Sequence, residues 1–186
     1  DSIGQAGSFT LTAIAEPEEI CQGESVQLDV VVEGGSGSYA YLWTSIPPGF
    51  TTSLRNPIVK PDTSTYYIIK ASDGPNTGYD TIFVVVHENP KPYIGEDTLI
   101  CLGESVIYDP GPGFATYEWQ DGSTQQSYTG SAEGFFWVEV TNSYGCYGRD
   151  SAFLDILEPP LKPAKPAGPS YMDLYSVDSS SYTTST

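Results

Sequence analysis

Apolar and polar residues alternate in short runs along the chain, and no stretch repeats at the 3.6-residue period of an amphipathic helix. Each run predicts a β-strand. Residues 9–15 (FTLTAIA), 25–32, 39–44, 66–71 and 81–87 form one series, broken by Gly34-Gly35-Ser36-Gly37 and by Asp73-Gly74-Pro75-Asn76. A second series follows at 93–100, 105–108, 115–119, 135–140 and 151–157, with turns at Asp121-Gly122 and across 142–145. Period 2 puts Tyr39, Tyr41 and Trp43 on one face of their strand, so Trp43 is the expected core anchor.

The two series follow one plan. Ile20-Cys21-Gln22-Gly23-Glu24-Ser25-Val26 recurs as Ile100-Cys101-Leu102-Gly103-Glu104-Ser105-Val106. Each copy leads to a Tyr-x-Trp strand (Tyr41-Leu42-Trp43, then Tyr117-Glu118-Trp119) and ends on Asp80-Thr81-Ile82 or Asp150-Ser151-Ala152. A repeat of this length is a whole domain. The sequence divides into a flexible lead at 1–8, a first module at 9–88, a linker at 89–92 stiffened by Pro90 and Pro92, and a second module at 93–158. Residues 159–186 read as a Pro-rich linker and the incomplete start of a third module.

Composition agrees with an all-β chain: 19 Gly, 15 Pro and 14 Tyr among 186 residues suit many short strands and turns. A net charge of −17 repels nucleic acid and anionic membranes, so neither is an expected partner. No apolar run approaches the roughly 20 residues needed to cross a bilayer, so no membrane insertion is expected. The first residue is Asp1 rather than Met, which reads as a processed or excised segment. An enzyme is not expected: the single histidine, His87, ends a strand, and no Gly-x-Ser-x-Gly, His-Glu-x-x-His or phosphate-binding glycine loop occurs. Catalytic and cofactor-binding residues are accordingly none.

The motifs Cys21-x-Gly23-Glu24-Ser25-Val26, Gly37-Ser38-Tyr39-x-Tyr41-x-Trp43, Cys101-x-Gly103-Glu104-Ser105-Val106, Tyr117-x-Trp119-x-Asp121-Gly122 and Gly145-Cys146 carry a resemblance. The chain resembles the tandem Ig-like and PKD-like modules of large secreted or surface proteins of Bacteroidota, including gliding-motility and type IX secretion cargo. The resemblance implies tandem Ig-like (PKD-like) β-sandwiches with a truncated third module, at the cell surface or outside the cell. The first module lacks the Trp-x-Phe-Gly-Asp-Gly run of the better-known PKD modules.

Three cysteines leave at least one thiol unpaired within the monomer. Cys101 precedes one strand and Cys146 sits in the turn before the last; plain immunoglobulin topology puts those positions at opposite ends of a sandwich, roughly 20 Å apart. Against that geometry, two cysteines in one small exported domain usually pair. A Cys101–Cys146 bond and two unbonded apolar side chains therefore stand as alternatives. The first module has Asn76 or Thr77 where Cys146 would fall, so Cys21 is expected to be a free, buried thiol.

The strand phase suggests a contact surface. If Phe136, Val138 and Val140 point inward, then Phe135 and Trp137 point out, with Phe153 and Leu157 beside them; in the first module Tyr66, Ile68, Phe83 and Val85 do likewise. Such faces suit sugar rings, a neighbouring domain or a partner protein. Asp73, Asp80, Glu88, Asn89, Glu96 and Asp97 are weak candidate Ca²⁺ ligands near the domain ends, although no EF-hand spacing occurs. By resemblance to Bacteroidota acceptor tripeptides, Ser2, Thr81, Thr98 and Ser151 are O-glycosylation candidates. The expectation for the whole is a non-catalytic spacer, adhesion or docking module, with neighbouring domains or another surface protein as partners. The alternative is a carbohydrate-binding accessory.

Overall fold

The computed structural model describes residues 9–160, with the exception of Pro75. The proposed third module and Ser2 lie outside the described residues, apart from 159–160.

The first module contains β1 (Thr10–Glu16), β2 (Glu19–Cys21), β3 (Val26–Glu33), β4 (Ala40–Ile46), β5 (Thr51–Thr52), β6 (Ile58–Val59), β7 (Thr65–Ser72) and β8 (Thr77–His87). Its sheets run β1-β3-β6 and β2-β8-β7-β4-β5. The second module contains β9 (Thr98–Cys101), β10 (Val106–Tyr108), β11 (Thr116–Trp119), β12 (Tyr128–Gly130), β13 (Gly134–Thr141) and β14 (Tyr147–Leu157). Here the sheets run β10-β12 and β11-β13-β14-β9. In each module one pair is parallel, β2 with β8 and β9 with β14. The last strands start earlier than the sequence suggests, because Gly78, Tyr79, Tyr147 and Gly148 continue the ladder where their composition reads as turn.

Alternation on these strands makes the cores. Val26, Leu28 and Val30 of β3 face Trp43, Ile69 and Val84 across the first sandwich. Tyr108, Trp119, Val138, Val140 and Leu154 fill the second. Each tryptophan also donates its indole N–H to a loop carbonyl, Trp43 to Arg55 at 3.1 Å and Trp119 to Gln125 at 2.8 Å, so its one polar atom is satisfied inside the core.

The repeated Asp-Thr/Ser-apolar tripeptides have a structural use. Asp80 Oδ2 accepts the Ala13 N–H at 2.7 Å, and Asp150 Oδ2 accepts the Ile94 N–H at 2.8 Å. In both modules the carboxylate ties the incoming segment to the last strand.

Turns use carboxylates in the same way. Asp73 accepts the Ser36 and Asn76 N–H groups at 2.6 and 3.2 Å, and these bonds, the Ser36 one foremost, hold its carboxyl below the usual 3.8. A carboxyl lowered in the folded state contributes stability that is present above its unfolded value and lost as pH falls through the folded one. Acidification from pH 5 to pH 3 is therefore expected to lower the denaturation midpoint of the parent more than that of Asp73→Asn. General relief of charge repulsion affects both proteins alike, so equal losses would remove Asp73 from the account.

Candidate functional site

The repeated heptapeptide builds a turn that fixes a cysteine at a module end. Glu24 N donates to Cys21 O at 3.1 Å, and Gly23 takes φ +93°, a conformation that side chains disfavour. Glu24 Oε2 reaches back to accept the Cys21 N–H at 2.9 Å. The second copy repeats this: Glu104 N to Cys101 O at 3.0 Å, Gly103 at φ +93°, and Cys101 N to Glu104 Oε2 at 2.8 Å. Each cysteine thus ends the short parallel strand beside the last strand of its module, Cys21 opposite His87 and Cys101 opposite Leu157.

The disulfide joins Cys21 to Cys146, with Cα atoms 5.4 Å apart and a sequence separation of 125. This corrects both cysteine expectations. Cys21 is bonded rather than a free thiol, and Cys101 is exposed and free rather than paired with Cys146 or buried. The physical reason is the one that counted against an intramodule bond: Cys101 and the β13–β14 turn belong to opposite ends of a sandwich. That turn instead meets the far end of the preceding module.

The turn is rigid in itself and seated on its neighbour. Asn142 Oδ1 accepts the N–H groups of Tyr144 and Cys146, both at 3.0 Å, while Asn142 Nδ2 donates to Glu88 O at 2.9 Å. Asn89 Nδ2 donates to Gln22 O at 3.0 Å from the first-module side. The Tyr144 ring stacks on His87 with centroids 3.7 Å apart and planes 12° from parallel, and His87 Nε2 lies 3.0 Å from Glu19 Oε2. A cavity of about 450 Å³ lies among Glu19, Cys21, Glu24, His87, Tyr144 and Gly145. Gly148 closes the other side of the joint, since a Cβ there would overlap the Pro90 carbonyl. None of these contacts across the joint was read from the sequence; the Asn142–Gly145 turn and Gly145-Cys146 were visible, but not what they touch.

On the sheet faces, Phe135 is 72% exposed and packs on the half-buried Phe153 with centroids 4.9 Å apart. Trp137 also faces out, yet the Arg149 guanidinium lies over its ring at 3.7 Å and takes the plane on which a sugar would stack. In the first module Tyr66 and Phe83 are exposed and 4.3 Å apart, with Ile68 and Val85 half-buried on the same face.

Among the described residues no group of three or more His, Cys, Asp or Glu side chains is placed to share a cation. The Ca²⁺ candidates are dispersed: Asp73 and Asp80 hold the backbone bonds above, Asp97 Oδ1 accepts the Phe153 N–H at 2.7 Å, Glu96 accepts the Tyr93 hydroxyl at 3.0 Å, and Glu88 is exposed at the joint. Thr81 and Ser151 are exposed on the last strands, and Thr98 donates its hydroxyl to Glu96 O.

Neither a family model nor a curated protein sequence matches the chain. Solved structures do. The insect immune protein hemolin aligns with a TM-score of 0.50 at 12% identity, over 84% of this chain and 49% of its own. An I-band fragment of titin gives 0.43 at 16% identity, over 82% and 66%. Three N-terminal domains of the outer capsid protein Hoc of bacteriophage RB49 give 0.40 at 16%, over 80% and 59%. The fold is that of tandem Ig-like β-sandwiches. The chain spans about half the length of the hemolin chain it matches.

Proposed function

We propose that the chain is a non-catalytic extracellular spacer, a segment of a larger surface protein whose two Ig-like modules are locked at one mutual orientation. The Cys21–Cys146 bond between modules carries this reading. A covalent bond, a ring stack and two side-chain-to-backbone bonds at one joint suit a part that holds its neighbours at a set distance and angle, where a bare linker would leave the modules free to swing. A disulfide also fits an oxidising compartment. The sequence resemblance to Bacteroidota surface modules supports placing the parent among such proteins, with type IX secretion as its export route.

Relaxation of backbone ¹⁵N nuclei tests the joint. The two modules of the oxidised protein are expected to tumble with one correlation time, and the Cys21→Ser/Cys146→Ser variant with faster, partly separate ones. Separate tumbling in the oxidised protein would sink the spacer reading.

The Phe135–Phe153 pair favours a second reading, contact with a glycan on the outer face of β13 and β14. Because Arg149 covers Trp137, the informative substitution is Phe135→Ala. On this reading a glycan array gives a signal that the substitution lowers at least tenfold, and no signal from the parent would leave the spacer alone.

A further inference from the structure

We infer that Cys101 is half of a second module-to-module disulfide, its partner being the cysteine in the β13–β14-type turn of a further Ig-like module that follows in the same polypeptide. The inference builds on the spacer reading and extends it from one joint to a series.

The first module serves as the comparison, because the same motif position is already bonded there. The two cysteines are held alike in four respects. Each is positioned by the same glutamate-closed turn with glycine at φ +93°. Each faces the final residue of its module's last strand in a parallel ladder. The next N–H donates to that final residue's carbonyl in both, Gln22 to His87 at 2.8 Å and Leu102 to Leu157 at 3.2 Å. The chain then leaves through a glutamate and a proline-containing segment, Glu88-Asn89-Pro90 in one case and Glu158-Pro159-Pro160 in the other. Register, turn and exit path therefore coincide.

The surroundings differ in one respect that also calls for an occupant. At the occupied joint the turn of the second module lays Tyr144 on His87. At the second joint Leu157 replaces His87 and Leu102 replaces Gln22. They are 56% and 61% exposed, and with Cys101, Pro159 and Pro160 they line an apolar cavity of about 310 Å³. A turn carrying an aromatic residue before Gly-Cys, as in Tyr144-Gly145-Cys146, would cover both leucines while bringing its sulfur to Cys101. Cys146 is already bonded and residues 161–186 contain no cysteine, so the partner sulfur belongs to residues outside this sequence. The first module, with no cysteine in Asp73-Gly74-Pro75-Asn76, offers no such sulfur to a preceding module.

Formation of the bond joins the Cys101 Sγ to the partner Sγ. Two thiols lose two protons and two electrons, which pass to a disulfide oxidant of the exporting compartment and reduce it to its dithiol.

The test is peptide mapping of the native protein, isolated with thiols alkylated at lysis and digested without reductant. The expected result is a Cys101 peptide disulfide-linked to a peptide from outside these 186 residues, in which the cysteine lies in a Gly-Cys turn. An alkylated Cys101, or a Cys101–Cys101 link between two copies, would overturn it. A fusion in which residue 160 is followed by a second copy of residues 91–160, the copy carrying Cys101→Ser so that one such thiol is read, gives an independent check, since it reproduces the spacing of the first joint. The copy's Cys146 is expected to bond Cys101 and lower its alkylation at least tenfold relative to the 186-residue chain. Unchanged alkylation in a fusion whose spectra show the added module folded would count against the proposal. A free Cys101 together with a single correlation time for the two modules would remove this inference and leave the spacer reading intact.

Discussion

Trp119→Ala is expected to unfold the second module while the first keeps its structure. Trp119 is fully buried, stacks on Tyr128 with centroids 5.2 Å apart and donates its indole N–H to Gln125 O at 2.8 Å. Deleting a buried tryptophan costs about 3–5 kcal/mol. A module of this size holds about 3–10 kcal/mol in total, so the loss takes most or all of it. Heteronuclear NMR checks this residue by residue: signals of β9–β14 should collapse to unfolded positions while those around Trp43 persist. A second module that stays dispersed, with its midpoint lowered by less than about 1 kcal/mol, would mean that the core collapses around the gap more completely than its packing suggests.

The Cys21→Ser/Cys146→Ser variant is expected to lose about 2–4 kcal/mol across the two unfolding steps together. Closing a loop of 125 residues in the unfolded chain is worth close to 5 kcal/mol on chain entropy alone. The expected loss lies below that limit because the unfolded chain keeps residual structure, and since the modules unfold one at a time it is divided between the two steps. Denaturant melts of the oxidised protein and the variant, followed by tryptophan fluorescence, should show the midpoints move down and the two modules' transitions draw apart. Coincident melts would mean that the bond does not form in solution.

What was legible in the sequence follows from local periodicity. Alternation put Phe136, Val138 and Val140 inward and Phe135 and Trp137 outward, and the structure has them so, because a half-buried strand has only two faces to offer. The tryptophan anchors were visible for the same reason. The ends of β8 and β14 were not, since glycine and tyrosine pairs there resemble turns until a neighbouring strand supplies their hydrogen bonds. Arg149 over Trp137 depended on a cross-strand diagonal that a single strand does not reveal.

The candidate site was the least legible part, and the cysteines show why. The heptapeptide announced itself as a repeat, and its turn chemistry could be read from Gly23 and Glu24. The partner of Cys21 could not, because the sequence suggests pairing inside a module, whereas the bond depends on how one module sits on the next. The orientation is set by Asn89, Asn142 and the Tyr144–His87 stack, contacts for which no sequence period exists.

The position of the disulfide has a mechanical consequence. A pull applied at residues 9 and 160 has a covalent path through β1 and β2 to Cys21, across the bond to Cys146 and out along β14, so the chain between the two cysteines cannot be drawn out while the bond holds. Roughly 400 Å of extended backbone is held in reserve behind that covalent shortcut, including both core tryptophans, and under tension the pair behaves as a short, nearly inextensible strut.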